Sequence, residues 1–178
     1  MCYVATCVPL LVQQNVDGSD FFNRSWAEFK VGFKDTTGNY WLGNDLLHQL
    51  TTSGPYKLRI DLQTRNGSWY YAEYSWFVVS SEAFNYTIQV SGYSGNAGDA
   101  LWYHNGMMFT TYDRDNDQNI NNCAVRHGGG FWYNDCVYCG VNVARARSQQ
   151  HFRWVGRVGT RNDAHILPLQ STRMWLTC

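Results

Sequence analysis

No stretch of the chain approaches the roughly 18 consecutive apolar residues of a membrane helix, so no helical span is expected. Net charge is zero, with 14 Lys plus Arg against 14 Asp plus Glu, which removes the basic balance of a typical nucleic-acid binder. No Gly-x-Ser-x-Gly elbow, His-Glu-x-x-His pair or phosphate-cradling loop occurs, and the five scattered histidines read as structural, so no enzyme is expected. Proline is scarce at 3 residues, while 16 Gly, 6 Cys and a 16% aromatic content are spread over 178 positions. Such a sequence is too aromatic to stay disordered and long enough to close one core. An even cysteine count with few lysines suits a secreted, loop-rich domain. The start, MCYVATCVPLLVQQ, has no basic n-region, so the sequence is expected to begin inside a longer precursor. Charge is uneven: residues 1–125 carry 7 basic and 12 acidic side chains, and residues 126–178 carry 7 arginines against Asp135 and Asp163. Sequons at Asn23, Asn66 and Asn85 are about as many as composition alone predicts.

Local patterns supply several elements. Ser25 and Glu28 form a capping box opening a helix near 24–33, with Trp26, Phe29 and Phe33 on one face. Asn44 or Asp45 is placed to cap a short helix carrying Leu46, Leu47 and Leu50, which Gly54-Pro55 stops. Residues 56–63 alternate, with Tyr56, Leu58, Ile60 and Leu62 opposite Lys57, Arg59, Asp61 and Gln63, as a half-buried antiparallel strand does. Asn66-Gly67 supplies the positive φ angles of a tight hairpin turn into a strand from about Trp69 to Val79. A third strand reads from Tyr86 to Ser91. Beyond Gly92 the periodicity dissolves for roughly 60 residues, and a stretch of that kind inside a compact domain is functional or braced.

Two clusters lie in that stretch. Asp113, Asp115 and Asp117, followed by Asn119, Asn121 and Asn122, place oxygen ligands at every second residue, the hard donors that Ca²⁺ takes. The spacing is not an EF-hand, since Gln118 and Ala124 stand where Gly and Glu belong; a solvated Asp/Asn turn is the alternative. Cys123 and Cys136 bracket the Gly-rich segment 127–133. A disulfide there would contribute about 3 kcal/mol in the chain-entropy model. Its rival is a Cys₃His zinc site of Cys123, His127, Cys136 and Cys139.

The words VDGSDFFNRSWAEFKVGF (16–33), YWLGND (40–45), YKLRIDLQ (56–63), GYSGNAGDAL (92–101), HNGMMFTTYDRDND (104–117), NCAV (122–125) and WYNDC (132–136) resemble, in order, the fibrinogen-related domain, the fibrinogen C-terminal family. The resemblance covers about residues 12 to 140. It implies an α+β fold with a central twisted antiparallel sheet, short helices and a loop-rich calcium-binding subdomain. The division expected is one domain over 1–178, with an atypical, truncated start at 1–15, sheet and helices in 16–91 and the loop-rich binding part in 92–178.

By family pattern Cys123 pairs with Cys136, and calcium is held by Asp115 and Asp117 with backbone carbonyls near Asn119 and Asn121, Asp113 standing behind them. In the ficolin- and tachylectin-like lectins of the family an acetyl group sits beside the second cysteine, where a cis peptide aims backbone N–H groups. Mapped here, that bond is Asp135-Cys136 and the ligand site comprises His127, Asp135, Cys136, Val137 and Tyr138, with Phe131 or His151 as further walls. The walls depart from the family at His127 and Val137. The reading that follows is a secreted, calcium-stabilised, lectin-like pattern-recognition module of innate immunity that binds N-acetylated glycans of microbial surfaces. The alternative is a protein-binding receptor-ligand or matrix module of angiopoietin or tenascin type. No coiled-coil or collagen-like stretch sets an oligomeric state, so a homo-oligomer stays open, as does the pairing of Cys2, Cys7, Cys139 and Cys178.

Overall fold

The computed structural model describes residues 8–145, 152–157 and 164–177. The pairing of Cys2, Cys7 and Cys178, and a wall role for His151, fall outside these residues. An eight-stranded antiparallel sheet runs in the order β2-β3-β1-β8-β4-β5-β6, with β7 paired to β8 beside it. Its strands are β1 (Leu10–Asn15), β2 (Phe33–Lys34), β3 (Tyr40–Trp41), β4 (Lys57–Thr64), β5 (Trp69–Val79), β6 (Ile88–Gly95), β7 (Arg153–Arg157) and β8 (Ala164–Thr177). Among the described residues the short α-helices α1 (Trp26–Val31), α2 (Asn44–Ser53) and α3 (Cys123–His127) complete an α+β architecture.

The expected capping box is present. Ser25 Oγ accepts from Glu28 N–H and Glu28 Oε2 accepts from Ser25 N–H, satisfying two amides that a helix start leaves free. The helix that follows is shorter than 24–33 because Gly32 takes a φ of 91° and ends it. Trp26 and Phe29 are buried, and Phe29 meets Phe33, Trp41 and Phe109 at 4.9, 5.4 and 5.1 Å between ring centroids. Helix α2 begins one residue early, with Gly43 at its cap and no side-chain cap bond.

Strand β4 buries Leu58, Ile60 and Leu62, as its period of two requires. The β4–β5 turn differs from the expected one: Gly67 alone has positive φ, at 87°, and the bonds Gly67 N–H to Thr64 O and Thr64 N–H to Ser68 O mark a three-residue loop. Asn66 stays out of the left-handed region because its Oδ1 accepts from Ser68 N–H instead.

The largest difference lies at the C-terminal end. The 14-residue strand β8 is the centre of the sheet, between β1 and β4, although sequence grouped it with the loop-rich part. Its inward residues are Leu167 and Leu169, then Thr172, Met174 and Leu176; a register shift opposite Gln63 and Thr64 changes the parity. Buried polar groups join this sheet to the irregular segment. Gln13 Nε2 donates to Asn142 Oδ1 and Thr172 Oγ1, both at 3.0 Å, while Asn15 Nδ2 donates to Val141 O at 3.0 Å.

Candidate functional site

The segment after β6 holds its shape through side chains that replace a backbone ladder. Asn105 Oδ1 accepts from Val90 N–H, Trp132 Nε1–H donates to Tyr86 O and Trp154 Nε1–H donates to Gly98 O. His104 is fully buried, with Nδ1 2.7 Å from Trp132 O, and Nε2 3.2 Å from Tyr138 N and 3.4 Å from Cys139 N. A carbonyl can only accept and an amide only donate, so the ring is neutral, protonated at Nδ1 and accepting at Nε2. Burial pushes its pKa down to about 4.

Cys123 and Cys136 form a disulfide with 5.6 Å between their Cα atoms. Both sulfurs are therefore committed, which removes the Cys₃His zinc alternative. Cys139 is a free, buried thiol whose pKa burial pushes well up, a poor thiolate ligand. The glycines inside this loop permit close packing. A Cβ on Gly129 would stand 2.0 Å from Asn142 O, and one on Gly130 would stand 2.5 Å from the Phe29 ring.

In the acidic loop Asp117 accepts from Asn119 N–H at Oδ1 and from Cys123 N–H at Oδ2, both at 2.9 Å. Burial pushes the Asp117 carboxyl above its usual range, and neighbouring Asp115 adds to the shift. No Lys or Arg pairs with either carboxylate among the described residues. Asn119 turns its side chain away, Nδ2 donating to Asp135 Oδ1, and thereby ties the acidic loop to the residue before Cys136. Asp113 Oδ1 accepts from Trp26 N–H at 2.9 Å and Thr111 Oγ1–H at 2.7 Å, so this carboxylate docks the loop on α1.

The expected ligand residues separate. His127 is 1% exposed and stacks on Tyr133, turned into the core rather than towards solvent. No cis peptide occurs among the described residues, so Asp135-Cys136 is trans, and Asn134 N–H bonds back to Cys136 O at 3.1 Å. The Phe131 wall is also buried, at 2% exposure. The acetyl pocket is therefore not assembled as expected.

Val137 and Tyr138 do meet, in different company. They line a recess of about 220 Å³ together with Arg153, Val155 and Ile166. The recess forms because Val155 N–H donates to Tyr138 O at 2.8 Å and Gly140 N–H donates to Arg153 O at 2.9 Å, laying the post-disulfide segment along β7. Tyr138 stacks on Tyr103 at 4.3 Å and meets the edge of Trp102; Arg157 lies 3.5 Å over that indole. Tyr103 OH donates to Asp135 O, so the aromatic cluster is pinned to the disulfide loop. Arg153 Nε is buried and has no acceptor among the described residues. No sequence pattern marked Arg153, Val155 or Ile166 as site residues, because they reach the recess only through the pairing of β7 with β8. Ile166 is 55% exposed in a strand whose Leu167 and Leu169 are buried, a difference visible only in the structure.

A family model described as the C-terminal globular domain of fibrinogen beta and gamma chains matches residues 7–176. Human fibrinogen alpha chain is 47% identical over 148 residues, 75% of this chain and 17% of that protein. Mouse angiopoietin-related protein 7 is 39% identical over 142 residues, 79% of this chain and 42% of that protein. The chain thus spans less than half the length of either relative. Among solved structures, the fibrinogen-like globe domain of human ANGPTL2 aligns with a TM-score of 0.82 and 36% identity, covering 94% of this chain and 79% of that one. Lamprey fibrin D-dimer complexed with the peptide ligand Gly-His-Arg-Pro-amide aligns at 0.75 and 28%, covering 94% and 60%. These likenesses run to fibrinogen and angiopoietin-related proteins, and the ligand they include is a peptide. They overturn the expectation of a lectin-like, innate-immune module with N-acetylated microbial glycans as partners. The inward His127 and the trans bond before Cys136 give the physical reason.

Proposed function

The protein belongs to the fibrinogen C-terminal domain family, non-catalytic and secreted, and on that premise we propose that it is a protein-binding module of receptor-ligand or matrix type. The observation that carries this reading is the recess of Val137, Tyr138, Arg153, Val155 and Ile166. Its walls are apolar, and the buried Nε of its cation has no acceptor among the described residues. Such a site receives an apolar side chain of a partner with a carboxylate beside it, and the guanidinium gains a desolvated, charge-assisted bond. The fused Tyr103, Tyr138 and Trp102 rings make a stiff rim that loses little entropy on docking.

Binding of the labelled domain to cell-surface or matrix preparations tests this reading. It should vanish after the preparation is digested with trypsin and survive glycosidase treatment. Ile166→Asp or Tyr138→Ala should weaken it about tenfold or more, the loss expected of a central docking residue. Binding that survives trypsin and is lost to glycosidases would sink the reading, and variants that bind like wild type would move the site elsewhere.

The same reading gives the acidic loop a calcium ion, held by the carboxylates of Asp115 and Asp117 with the backbone carbonyls of Asn119 and Asn121. Hard oxygen donors and two carboxylates without a cationic partner among the described residues support this assignment. Bound there, an ion would supply positive charge beside half-buried Asp117 and exposed Asp115. Asp117 and Asn119 carry its effect on to Cys123 and Asp135, and so to the floor of the recess. A site with only two formal charges suits the weak, extracellular range of affinity. At about one hundred times the dissociation constant, calcium should add about 2.7 kcal/mol. For a protein of this length that is about 5–10 °C in melting temperature. Asp117→Asn should no longer respond to calcium and should melt somewhat below the metal-free wild type, since an amide has one accepting oxygen where the carboxylate accepts from both Asn119 N–H and Cys123 N–H. Identical wild-type melts in calcium and in chelator would remove the ion from the account.

A further inference from the structure

The three sequons, which composition alone could not rank, fall into unlike surroundings. Asn66 lies in the β4–β5 turn, where residues 65–69 are all exposed and a Cβ on Gly67 would meet nothing within 4 Å. Its Oδ1 accepts from Ser68 N–H at 3.1 Å and from Thr64 Oγ1–H at 2.5 Å. Those bonds fix the amide plane through its oxygen, while Nδ2 donates no hydrogen bond to the described residues. Asn85, in contrast, is a left-handed residue with φ 50° whose amide is used at both ends. Its Oδ1 accepts from Arg114 Nη2 at 2.6 Å and its Nδ2 faces Met108 Sδ at 3.1 Å. Asn23 is half-buried, and the hydroxyl of its sequon belongs to Ser25, which the capping box occupies.

We infer that Asn66 carries an N-linked oligosaccharide and that Asn23 and Asn85 do not. The family is secreted and the protein forms a disulfide, so it passes through the compartment where lipid-pyrophosphate oligosaccharides are transferred to Asn-x-Ser/Thr. In that step Asn66 Nδ2 attacks the anomeric carbon of the donor sugar. The N–C bond forms, the bond from that carbon to the pyrophosphate oxygen breaks, the lipid pyrophosphate leaves and the enzyme's base takes the amide proton. Once the protein folds, the sugar must stand in water. At Asn66 it does so without disturbing the Oδ1 bonds that hold the turn, whereas at Asn85 it would displace a proton that points at Met108. The turn rests on β8 through Arg65 N–H to Pro168 O, and Pro168 pairs with Arg153.

The full-length protein secreted from eukaryotic cells provides the test, by intact mass before and after peptide:N-glycanase and by peptide mapping of the deamidated site. The expected result is one carbohydrate-bearing asparagine, at residue 66. Asn66→Asp keeps the oxygen that holds the turn and Ser68→Ala removes the hydroxyl the transferase needs, so both should lose the carbohydrate mass and stay folded; Asn85→Asp should keep it. A folded, secreted wild type with no carbohydrate overturns the assignment. So does carbohydrate on Asn23 or Asn85.

Discussion

A His104→Leu variant will be less stable than wild type by about 3 kcal/mol at neutral pH, and the gap will close as the pH falls towards 4. Leucine leaves the Trp132 carbonyl and the Tyr138 and Cys139 amides without the ring that joins them, and a buried polar group stripped of its partner costs about 1–3 kcal/mol. The pH dependence follows from linkage. The unfolded histidine titrates near 6.5 and the folded one at about 4, so the unfolded state binds more protons between these values. The stabilisation is complete above pH 6.5 and is lost as pH falls to 4, a change of about 3 kcal/mol at 1.36 kcal/mol per unit. Urea unfolding of both proteins at several pH values isolates this contribution, because carboxylates common to both cancel in the difference. A gap independent of pH would mean that His104 titrates alike in the folded and unfolded states, as a hydrated ring does, and a gap that widens as pH falls would mean that it is charged in the fold.

Replacing Cys123 and Cys136 together by alanine will cost about 3 kcal/mol in the chain-entropy model, for a loop whose ends are 13 residues apart. The loss will not stay local. The bridge connects α3 to Asp135, and Asp135 is also held by Asn119 and Tyr103. Opening it should loosen the acidic loop and the Tyr103–Tyr138 stack together, so calcium stabilisation and partner binding should both weaken more than a single local contact would allow. Melting temperatures with and without calcium, in oxidised wild type and in the variant, measure the coupling. A variant that is destabilised but keeps the full calcium response would show that the two loops are independent.

Elements with a local cause were legible in the sequence. The capping box at Ser25 and Glu28 depends on residues three apart, and the alternation of β4 on residues two apart, so each pattern carries its own geometry. The loss of periodicity beyond Gly92 pointed to a functional or braced segment without naming its braces. Within HNGM, His104 and Asn105 turn out to be the braces, through bonds to Trp132, Tyr138, Cys139 and Val90. Resemblance to the family located the disulfide, which the residues alone left open against zinc.

By itself the sequence determined an α+β domain with few long elements, a cysteine-bracketed loop beside an acidic one and no candidate catalytic set. Tertiary structure alone decided which side chains line the recess. His127 turns inward because its ring stacks on Tyr133 in the core, whereas Arg153, Val155 and Ile166 arrive beside Tyr138 only when β7 pairs with β8. Strand β8 owes its central place to pairing with β1 and β4, and its hydrophobic alternation is interrupted by a register shift. Periodicity records what a segment can bury. Which distant segment it is buried against is set by long-range pairing and packing, and the recess exists only at that level.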